Sequence, residues 1–492
     1  MSDADTTATS LLPDFKSAAA RRHRKLRHVK DVVTHYMMAA GGIGVIIAIV
    51  LIAFYLLYVV LPMFKPAGLD HVATYAVPGN RDAETVHYAM EEQHEIGMRA
   101  AEQGTISFFR TGDASLVSEH SLFAGTGDRV TAFAAGDPSQ ALLAFGTDTG
   151  KVLLVKHEYK VTYPEGTERL ITPRLYFPLG EVPLTIVADA TPIKLVSAQS
   201  NNERTTITAI TDDARLVITS FKREESFLGD DVEITRTGTM MPIEDTVTHI
   251  RLDIEQRELY LADNTGSIHY YDISNKESPR LIQRVQGVPK GVEITSLEFL
   301  AGGISILVGD SRGRISQWFP VRDEDNNYTL QHIRHFEPRH APIVTIAPEH
   351  SRKGFLAIDR DGYLGLYHTT AHRVVKKKSI LETAPEVLAI SPRANALLVE
   401  NDQKQLQYWH VENEHPEISW QSLWGKVWYE SRAEPEFIWQ SSSASSDFEP
   451  KFSLTPLAFG TLKAAFYAML FAIPLSILGA VYAGYFMAPK MR

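Results

Sequence analysis

Two stretches of the chain are uninterruptedly apolar, whereas the rest alternates between apolar and polar positions. Residues 37–61 carry no charged side chain over 25 positions, and residues 464–487 carry none over 24. As a helix, each stretch is long enough to cross the roughly 30 Å hydrocarbon layer of a membrane. The pattern predicts a transmembrane helix at 37–62 and a second one at 456–488, with residues 489–492 beyond it.

Between the two apolar stretches, a polar turn followed by an alternating strand recurs seven times. The turns align at residues 104, 150, 214, 266, 313, 362 and 404, with steps of 42 to 64 residues. Further strand-like segments precede most turns, as residues 130–133 and 141–145 precede the turn at 150. Strands joined by hairpin turns at a period of about 40–50 residues are typical of propeller blades. The sequence therefore predicts a seven-bladed β-propeller at 70–413, and a tandem array of β-sandwiches is the alternative.

An aromatic segment follows the last repeat and leads to the second apolar stretch. This connector covers 414–455 and ends in a Ser-rich run at 441–446 that predicts a flexible hinge. Its aromatic residues are Trp424, Trp428, Tyr429, Phe437 and Trp439. Two interpretations remain open, because such residues favour a membrane-water interface but could also belong to a closing strand of the propeller. The predicted fold is a mixed membrane protein, mainly an all-β propeller, flanked by two transmembrane α-helices.

Charge sets the expected orientation. The N-terminal segment, residues 1–36, is rich in Arg and Lys, and Lys490 and Arg492 follow the second helix. The positive-inside rule then places both termini in the cytoplasm and the propeller in the periplasm of a bacterial inner membrane. A nucleic-acid-binding arm is the alternative interpretation of the basic segment, and a cleaved signal peptide is the alternative for the first helix.

Composition is that of ordinary globular material outside the two apolar stretches. The chain has 492 residues, of which 44% are hydrophobic and 22% are charged, and it contains no Cys. The lack of Cys excludes disulfides, thiolate metal sites and a thiol nucleophile.

Small residues recur at every fourth position of the second apolar stretch. They are Gly460, Ala464, Ala468, Ala472, Ser476, Ala480 and Gly484. Small side chains on one side of a helix allow close packing in lipid, so the stripe predicts a helix-packing face, although Ala-rich helices also produce such a pattern by chance. Pro474 predicts a bend in this helix. Lys463 is a weak candidate for binding an anionic substrate, and snorkelling of its side chain to the headgroups is the alternative role.

Motifs that carry chemistry are sparse. Asp359 and Asp361 could suggest a calcium loop, but the later acidic ligands are missing and a hairpin turn uses the same residue types. His332, His335 and His340 form the densest His group, and the neighbouring Arg334 and Arg339 favour an exposed strand and loop over a metal site. No catalytic constellation is present, so we expect no enzyme activity, cofactor or metal.

The second apolar stretch resembles a known family. The matching pieces are Pro456-Leu-x-x-Gly-Thr-Leu462, Ala472-Ile-Pro-Leu475 and Ala480-Val-Tyr482, within about 40 residues at 448–487. They resemble the start of the type I ABC-importer permease module, most closely the PstC family of phosphate permease subunits in its variant with a large periplasmic insertion. The resemblance implies alternating access, with a second permease subunit, cytoplasmic ATPase subunits and a periplasmic phosphate-binding protein as partners. Because the module has only begun at Arg492, it also implies a partial permease or a truncated reading frame.

The sequence thus supports three expectations about function. The first is a permease subunit of an ATP-driven phosphate importer, with membrane lipid around it, no nucleic acid, and a propeller for docking or regulation. The alternative is a membrane-tethered propeller that acts as an assembly scaffold and has no transport role. A propeller hydrolase is a third expectation, which the missing catalytic constellation disfavours.

Overall fold

The computed structural model describes residues 18–164, 169–225, 232–442 and 449–486. The segments 1–17 and 487–492 and most of the Ser-rich run lie outside these residues, so the hinge predicted there stays a prediction. The first compact unit, residues 1–65, contains helix α1, Ala18–Val60, which continues into a 3-10 turn at Leu61–Phe64. Helix α1 begins at Ala18, well before the apolar stretch at 37–61, and its first turns are basic.

The second compact unit, from residue 66 onward, contains all the strands. Strands β1 to β10 are Gly68–Ala76, Thr85–Met90, Ile96–Ala101, Thr105–Arg110, Leu116–Ser121, Val130–Ala135, Leu142–Thr147, Lys151–Thr162, Leu170–Tyr176 and Leu184–Thr185. Strands β11 to β20 are Ile193–Ser200, Arg204–Thr211, Arg215–Glu225, Val232–Pro242, Val247–Leu252, Glu258–Asp263, Ser267–Asp272, Arg280–Gln286, Ile294–Phe299 and Ile306–Asp310.

The remaining strands complete the ring and the connector. Strands β21 to β31 are Ile315–Arg322, Tyr328–His335, Ile343–Pro348, Gly354–Asp359, Tyr363–His368, Arg373–Ser379, Pro385–Ile390, Ala396–Asn401, Gln405–Glu412, Trp439–Gln440 and Lys451–Phe452. Helix α2 is Trp420–Trp424 and helix α3 is Thr455–Tyr485. By length and composition, α1 and α3 are the two described helices that could cross a membrane.

The strands form seven antiparallel blades, which confirms the predicted propeller. Blade 1 is β2 to β5, blade 2 is β6 to β10, blade 3 is β11 to β14, blade 4 is β15 to β18, blade 5 is β19 to β22 and blade 6 is β23 to β26. Blade 7 takes three strands from the end of the ring, β27 to β29, and its outermost strand is β1. The pairing of Gly68 with Glu412 therefore joins the first strand of the ring to the last.

The hydrophobic core lies between the blades. One cluster contains Tyr260 and Ile268 of blade 4 together with Leu297 and Val308 of blade 5, all of them at most 1% exposed. Because the second and third strands of each blade are covered on both faces, their side chains are buried at nearly every position, as in the fully buried strand Gly354–Asp359. These strands are therefore apolar runs in the sequence, whereas the edge strands alternate.

The seven aligned turns are the hairpins between the second and third strands of the seven blades. All seven aligned residues have positive φ, from 57° at Lys404 to 79° at Gly266. Residues with positive φ are left-handed, and Gly adopts this conformation without strain, which explains why five of the seven positions are Gly. In the turn at 362, Asp359 Oδ1 accepts hydrogen bonds from the backbone N–H groups of Asp361 and Tyr363, so this carboxylate stabilises the hairpin turn.

We expect Gly313→Ala to destabilise the protein by about 2–4 kcal/mol, because two costs add. Residue 313 has φ 76°, and a Cβ there would lie 2.4 Å from the backbone oxygen of Ala341. Gly125→Ala is the matched control, since φ is 78° but no atom lies within 4 Å of the added Cβ. Chemical denaturation of the full chain in detergent measures both. Equal losses in the two variants would show that the close approach to Ala341 has no energetic effect.

The two faces of the ring differ in which turns they carry. The proximal face includes the turns between the first and second strands of each blade and, among the described residues, the turns between the third and fourth strands of blades 1, 4, 5 and 6. It includes Gly68, where the chain enters the ring, and Glu412, where it leaves. The distal face is formed by the seven aligned hairpins and the links between blades.

Candidate functional site

In the structure the connector runs from 413 to 454, against the predicted 414–455, and it packs against blade 6 where it leaves the ring. Arg352 donates from Nη1 to the backbone oxygen of Asn413 at 2.7 Å, and Arg373 donates from Nη1 to that of Ile418 at 2.6 Å. Ser419 begins helix α2 with a capping box, in which its Oγ accepts the N–H of Ser422 at 3.0 Å. The Ser419 hydroxyl also donates to the backbone oxygen of Ala371 at 2.8 Å. These contacts bind the first part of the connector, up to the start of helix α2, to blade 6.

A buried ion pair lies further along the connector. Glu430 Oε2 lies 2.5 Å from Lys353 Nζ, and the two side chains are only 6% and 2% exposed. Glu430 Oε1 accepts a hydrogen bond from Ser305 Oγ at 2.6 Å, and Lys353 also donates to the backbone oxygen of Ala301 at 2.5 Å. Each charge thus has both an opposite charge and a second polar partner, which a buried ion pair needs to offset desolvation.

Two further charged side chains join this pair. Arg334 is buried and donates to the backbone oxygens of Thr369 and Trp428, which links blades 5 and 6 to the connector. Glu449 accepts the backbone N–H of Glu430 at Oε2, over 3.1 Å. We name the set of Ser305, Arg334, Lys353, Glu430 and Glu449 the connector lock.

The connector lock perturbs the ionisation of its members. Burial raises the pKa of Glu449 to about 7, with a further contribution from the Glu430 charge, while Lys353 and Arg334 oppose the rise. Burial also lowers the pKa of Arg334 to about 10. Glu449 therefore changes its protonation state near neutral pH.

We expect the stability of the protein to fall as pH rises from about 4.5 to about 7, through Glu449. A carboxyl whose pKa is raised by folding holds its proton in the native state at pH values where the unfolded state has lost it. The native state then binds more protons, so raising the pH destabilises it over this window. Denaturation of the full chain in detergent at pH 5 and pH 8 measures the effect.

The matched control for this prediction is Glu449→Gln, which removes the titration but keeps the hydrogen-bonding shape. Burial also raises the pKa of Asp253 to about 7. Titration of Asp253 therefore contributes to the pH dependence of stability in both wild type and Glu449→Gln. The decisive quantity is the difference between wild type and Glu449→Gln. An equal pH dependence in the two proteins would contradict the assignment to Glu449.

The connector continues directly into α3. The N–H of Ser453 bonds to the backbone oxygen of Ile438 at 3.0 Å, and that of Leu454 bonds to the oxygen of Leu423 at 2.7 Å. The short ladder of β30 and β31 pairs Trp439 with Phe452. The start of α3 is therefore held by the connector, and the connector is held by the lock.

The structure rejects one of the two interpretations of the connector's aromatic residues and leaves the other as a prediction. The closing strand of the ring is β1, and β30 and β31 belong to no blade, so the interpretation of the connector as a closing strand is wrong. Two of its aromatic residues pack inward, since Tyr429 is 1% exposed and the Trp428 ring contacts that of Phe319 at 6.2 Å. Trp424, Phe437 and Trp439 are exposed, and for these the membrane interface stays a prediction.

The residues predicted to pack or bind substrate all lie on α3. The seven small residues of the stripe are exposed, and nothing lies within 4 Å of a Cβ added at Gly460. Helix α3 continues through Pro474. The Lys463 Nζ lies 5.9 Å from the centre of the Tyr467 ring, on the same helix. The structure brings none of these residues to the connector lock, and their packing and binding roles stay predictions.

A second charged cluster lies at the distal face. Ligand atoms of Asp245, Asp263 and His269 lie within 4.8 Å of one another, which is close enough to hold a metal ion. The guanidinium of Arg284 already contacts both carboxylates, at 3.0 Å and 2.8 Å. A fixed cation therefore balances these charges, and the cluster is a structural ion-pair network.

Comparison with known proteins shows a distant structural likeness. No protein-family model matches the chain, and no curated protein matches it. Among solved structures, the chain is similar to the β-propeller domain of Cps50 (Swd1) from Myceliophteria thermophila, with a TM-score of 0.46 and 12% identity. The match covers 69% of this chain and 100% of that domain. The propeller fold itself rests on the sheet topology described above.

The assignment to the PstC family of phosphate permease subunits is therefore wrong, since no family model supports it. The residues that carried it lie almost entirely in the single helix α3. Small residues at every fourth position, a Pro and bulky apolar residues suit many helices that pack in lipid, so they do not specify one family. The predictions of phosphate transport and of an ABC permease rested on this assignment and therefore have no support. The permease, ATPase and phosphate-binding partners that it implied have no observation behind them.

Proposed function

We propose that the protein is a membrane-tethered β-propeller that acts as an assembly scaffold. The connector lock carries this proposal, because it fixes the start of an apolar helix to blades 5 and 6 through buried charges. A flexible tether would need no such contacts. A ring held at a fixed position relative to its anchor presents its distal face in a constant orientation, as a scaffold requires.

The distribution of exposed apolar side chains supports a membrane on the proximal side. Among the described residues of the blades, nine large apolar ones are exposed near the proximal ends of their strands or in proximal turns: Leu116, Val117, Val161, Tyr163, Leu170, Ile234, Leu281, Ile304 and Tyr328. The distal ends and links expose four, namely Tyr176, Val182, Met240 and Tyr363. Isolated exposed apolar residues are common, but their concentration on one face favours an apolar neighbour there.

The proposed location is a bacterial inner membrane, with α1 and α3 as spans, both termini in the cytoplasm and the propeller in the periplasm. The chain has no Cys, so a single introduced thiol reports its own compartment. Gln103 is exposed in a distal hairpin, and Ser2 is near the N-terminus. In intact spheroplasts, a membrane-impermeant maleimide should label Gln103→Cys, whereas Ser2→Cys should be labelled only after lysis. The opposite result would reverse the orientation, and extraction of the full chain by carbonate would exclude a membrane-spanning protein.

The scaffold role is tested by photo-crosslinking in living cells. A photoreactive amino acid at Gln103 or Gln403, both exposed in distal hairpins, should crosslink to the same partner protein. The same probe at Asp325, in an exposed proximal turn of blade 5, is the control. Crosslinks of equal pattern from all three positions, or none from the distal pair, would contradict a distal docking surface.

A further inference from the structure

Two His side chains of blade 5 are brought together by a β-bulge. Strand β22 pairs Arg334 with Gln317 but His332 with Trp318, which leaves Ile333 as the extra residue. As a result His332 Nε2 and His335 Nδ1 lie only 3.2 Å apart, with ring centres separated by 3.9 Å. His332 is half-buried and His335 is exposed, so both nitrogens lie near the surface.

The two Arg side chains that disfavoured a metal site in the sequence point away from this pair. Arg334 is buried in the connector lock, where its guanidinium donates to Thr369 and Trp428. Arg339 is buried as well, with Nη1 lying 3.2 Å from Asp359 Oδ2 and Nε donating to the Tyr367 hydroxyl. Neither charge is therefore directed at the imidazoles, and the sequence argument against metal binding does not hold for His332 and His335.

We propose that His332 and His335 bind a divalent transition-metal ion, such as Cu²⁺, Ni²⁺ or Zn²⁺, as two adjacent ligands. Two imidazole nitrogens at about 2.0–2.1 Å from one metal, at square-planar or tetrahedral angles, are roughly 2.9–3.4 Å apart. The observed separation of 3.2 Å falls in this range, and an outward rotation of the two rings, whose centres lie 3.9 Å apart, would direct both lone pairs at one ion. Imidazole suits these borderline metals, and water or a partner's side chain completes the coordination.

Both rings can act as ligands in their neutral form, because metal ligation needs a ring nitrogen with a free lone pair. The competing explanation is a simple hydrogen bond between two neutral rings, in which one ring donates and the other accepts.

Copper binding to the full chain in detergent tests the proposal. The nitrogen splitting in the electron paramagnetic resonance spectrum of bound Cu²⁺ should show two nitrogen ligands in wild type and should be lost in His332→Ala/His335→Ala. His340→Ala, in the same segment, is the matched control and should keep the wild-type spectrum. The ring centre of Trp318 lies 5.1 Å from that of His332, so Cu²⁺ should also quench the Trp318 share of the Trp fluorescence in wild type but not in the double variant.

The outcomes are distinguishable from a folding defect and from adventitious binding. Thermal unfolding without metal should be the same in wild type and in both variants, because the substituted side chains lie near the surface. A double variant that binds Cu²⁺ with the same spectrum and quenching as wild type would overturn the proposal. So would a wild-type protein that binds no metal, which would leave the imidazole hydrogen bond as the explanation.

Discussion

Glu430→Ala should destabilise the full chain by about 3–5 kcal/mol, because it removes the carboxylate that pairs with the buried cation of Lys353. Lys353 is 2% exposed and would keep only the backbone oxygen of Ala301 as an acceptor. The Ser305 hydroxyl would lose its acceptor as well. Chemical denaturation in detergent measures the loss, and proteolysis should cut the connector of the variant faster, since its docking depends on this pair.

Two controls separate the buried pair from charge removal in general. Glu92→Ala removes an exposed ion pair with Arg393, whose side chains are 66% and 50% exposed, and it should change stability little. Lys353→Met/Glu430→Leu removes both charges and should recover much of the loss, because no unpaired charge remains. If Glu430→Ala and Glu92→Ala behaved alike, the connector lock would have no structural importance.

Trp409→Ala should cost about 3–5 kcal/mol, because it leaves a cavity where the ring closes. Trp409 lies in β29 and is 6% exposed. Its indole ring lies 5.0 Å from the ring of His71 in β1 and 4.6 Å from Lys378 Nζ of blade 6. The variant therefore weakens both the pairing with β1 and the packing of the last blade on its neighbour. Denaturation of the full chain measures the cost.

Trp420→Ala is the matched control for this prediction. Trp420 is 80% exposed in α2, so its removal in detergent should change the free energy of unfolding by no more than about 0.5 kcal/mol. A similar loss in the two variants would mean that Trp409 does not support ring closure.

The predictable parts of the fold are those that depend on short-range sequence patterns. The seven hairpins could be located because a left-handed turn selects Gly within two or three residues of a polar side chain, as at Gly266 and Gly313. Even the weak copies were correctly placed, since Ala214 and Lys404 also adopt positive φ. The strands beside these turns follow from burial on both faces of the blade.

Non-local pairing was not predictable from one sequence. The first strand, Gly68–Ala76, has no turn of the repeat beside it, and its partner is 344 positions away, from 68 to 412. The connector lock has the same difficulty, because Glu430 meets Lys353 and Ser305 across 77 and 125 positions. Arg334 looked like an exposed strand residue, since nothing near it in the sequence shows that a later segment covers it. These contacts depend on the tertiary fold alone.

Closure of the ring by β1 also determines the order in which the protein can fold. The strand is synthesised first, but its partner β29 is completed only after all the other blades. Until then β1 has no partner strand, and bringing the two ends together has a large entropic cost for so long a loop. Ring closure should therefore be a late and slow step, and a nascent chain that stops before β29 would expose unpaired strand edges to aggregation.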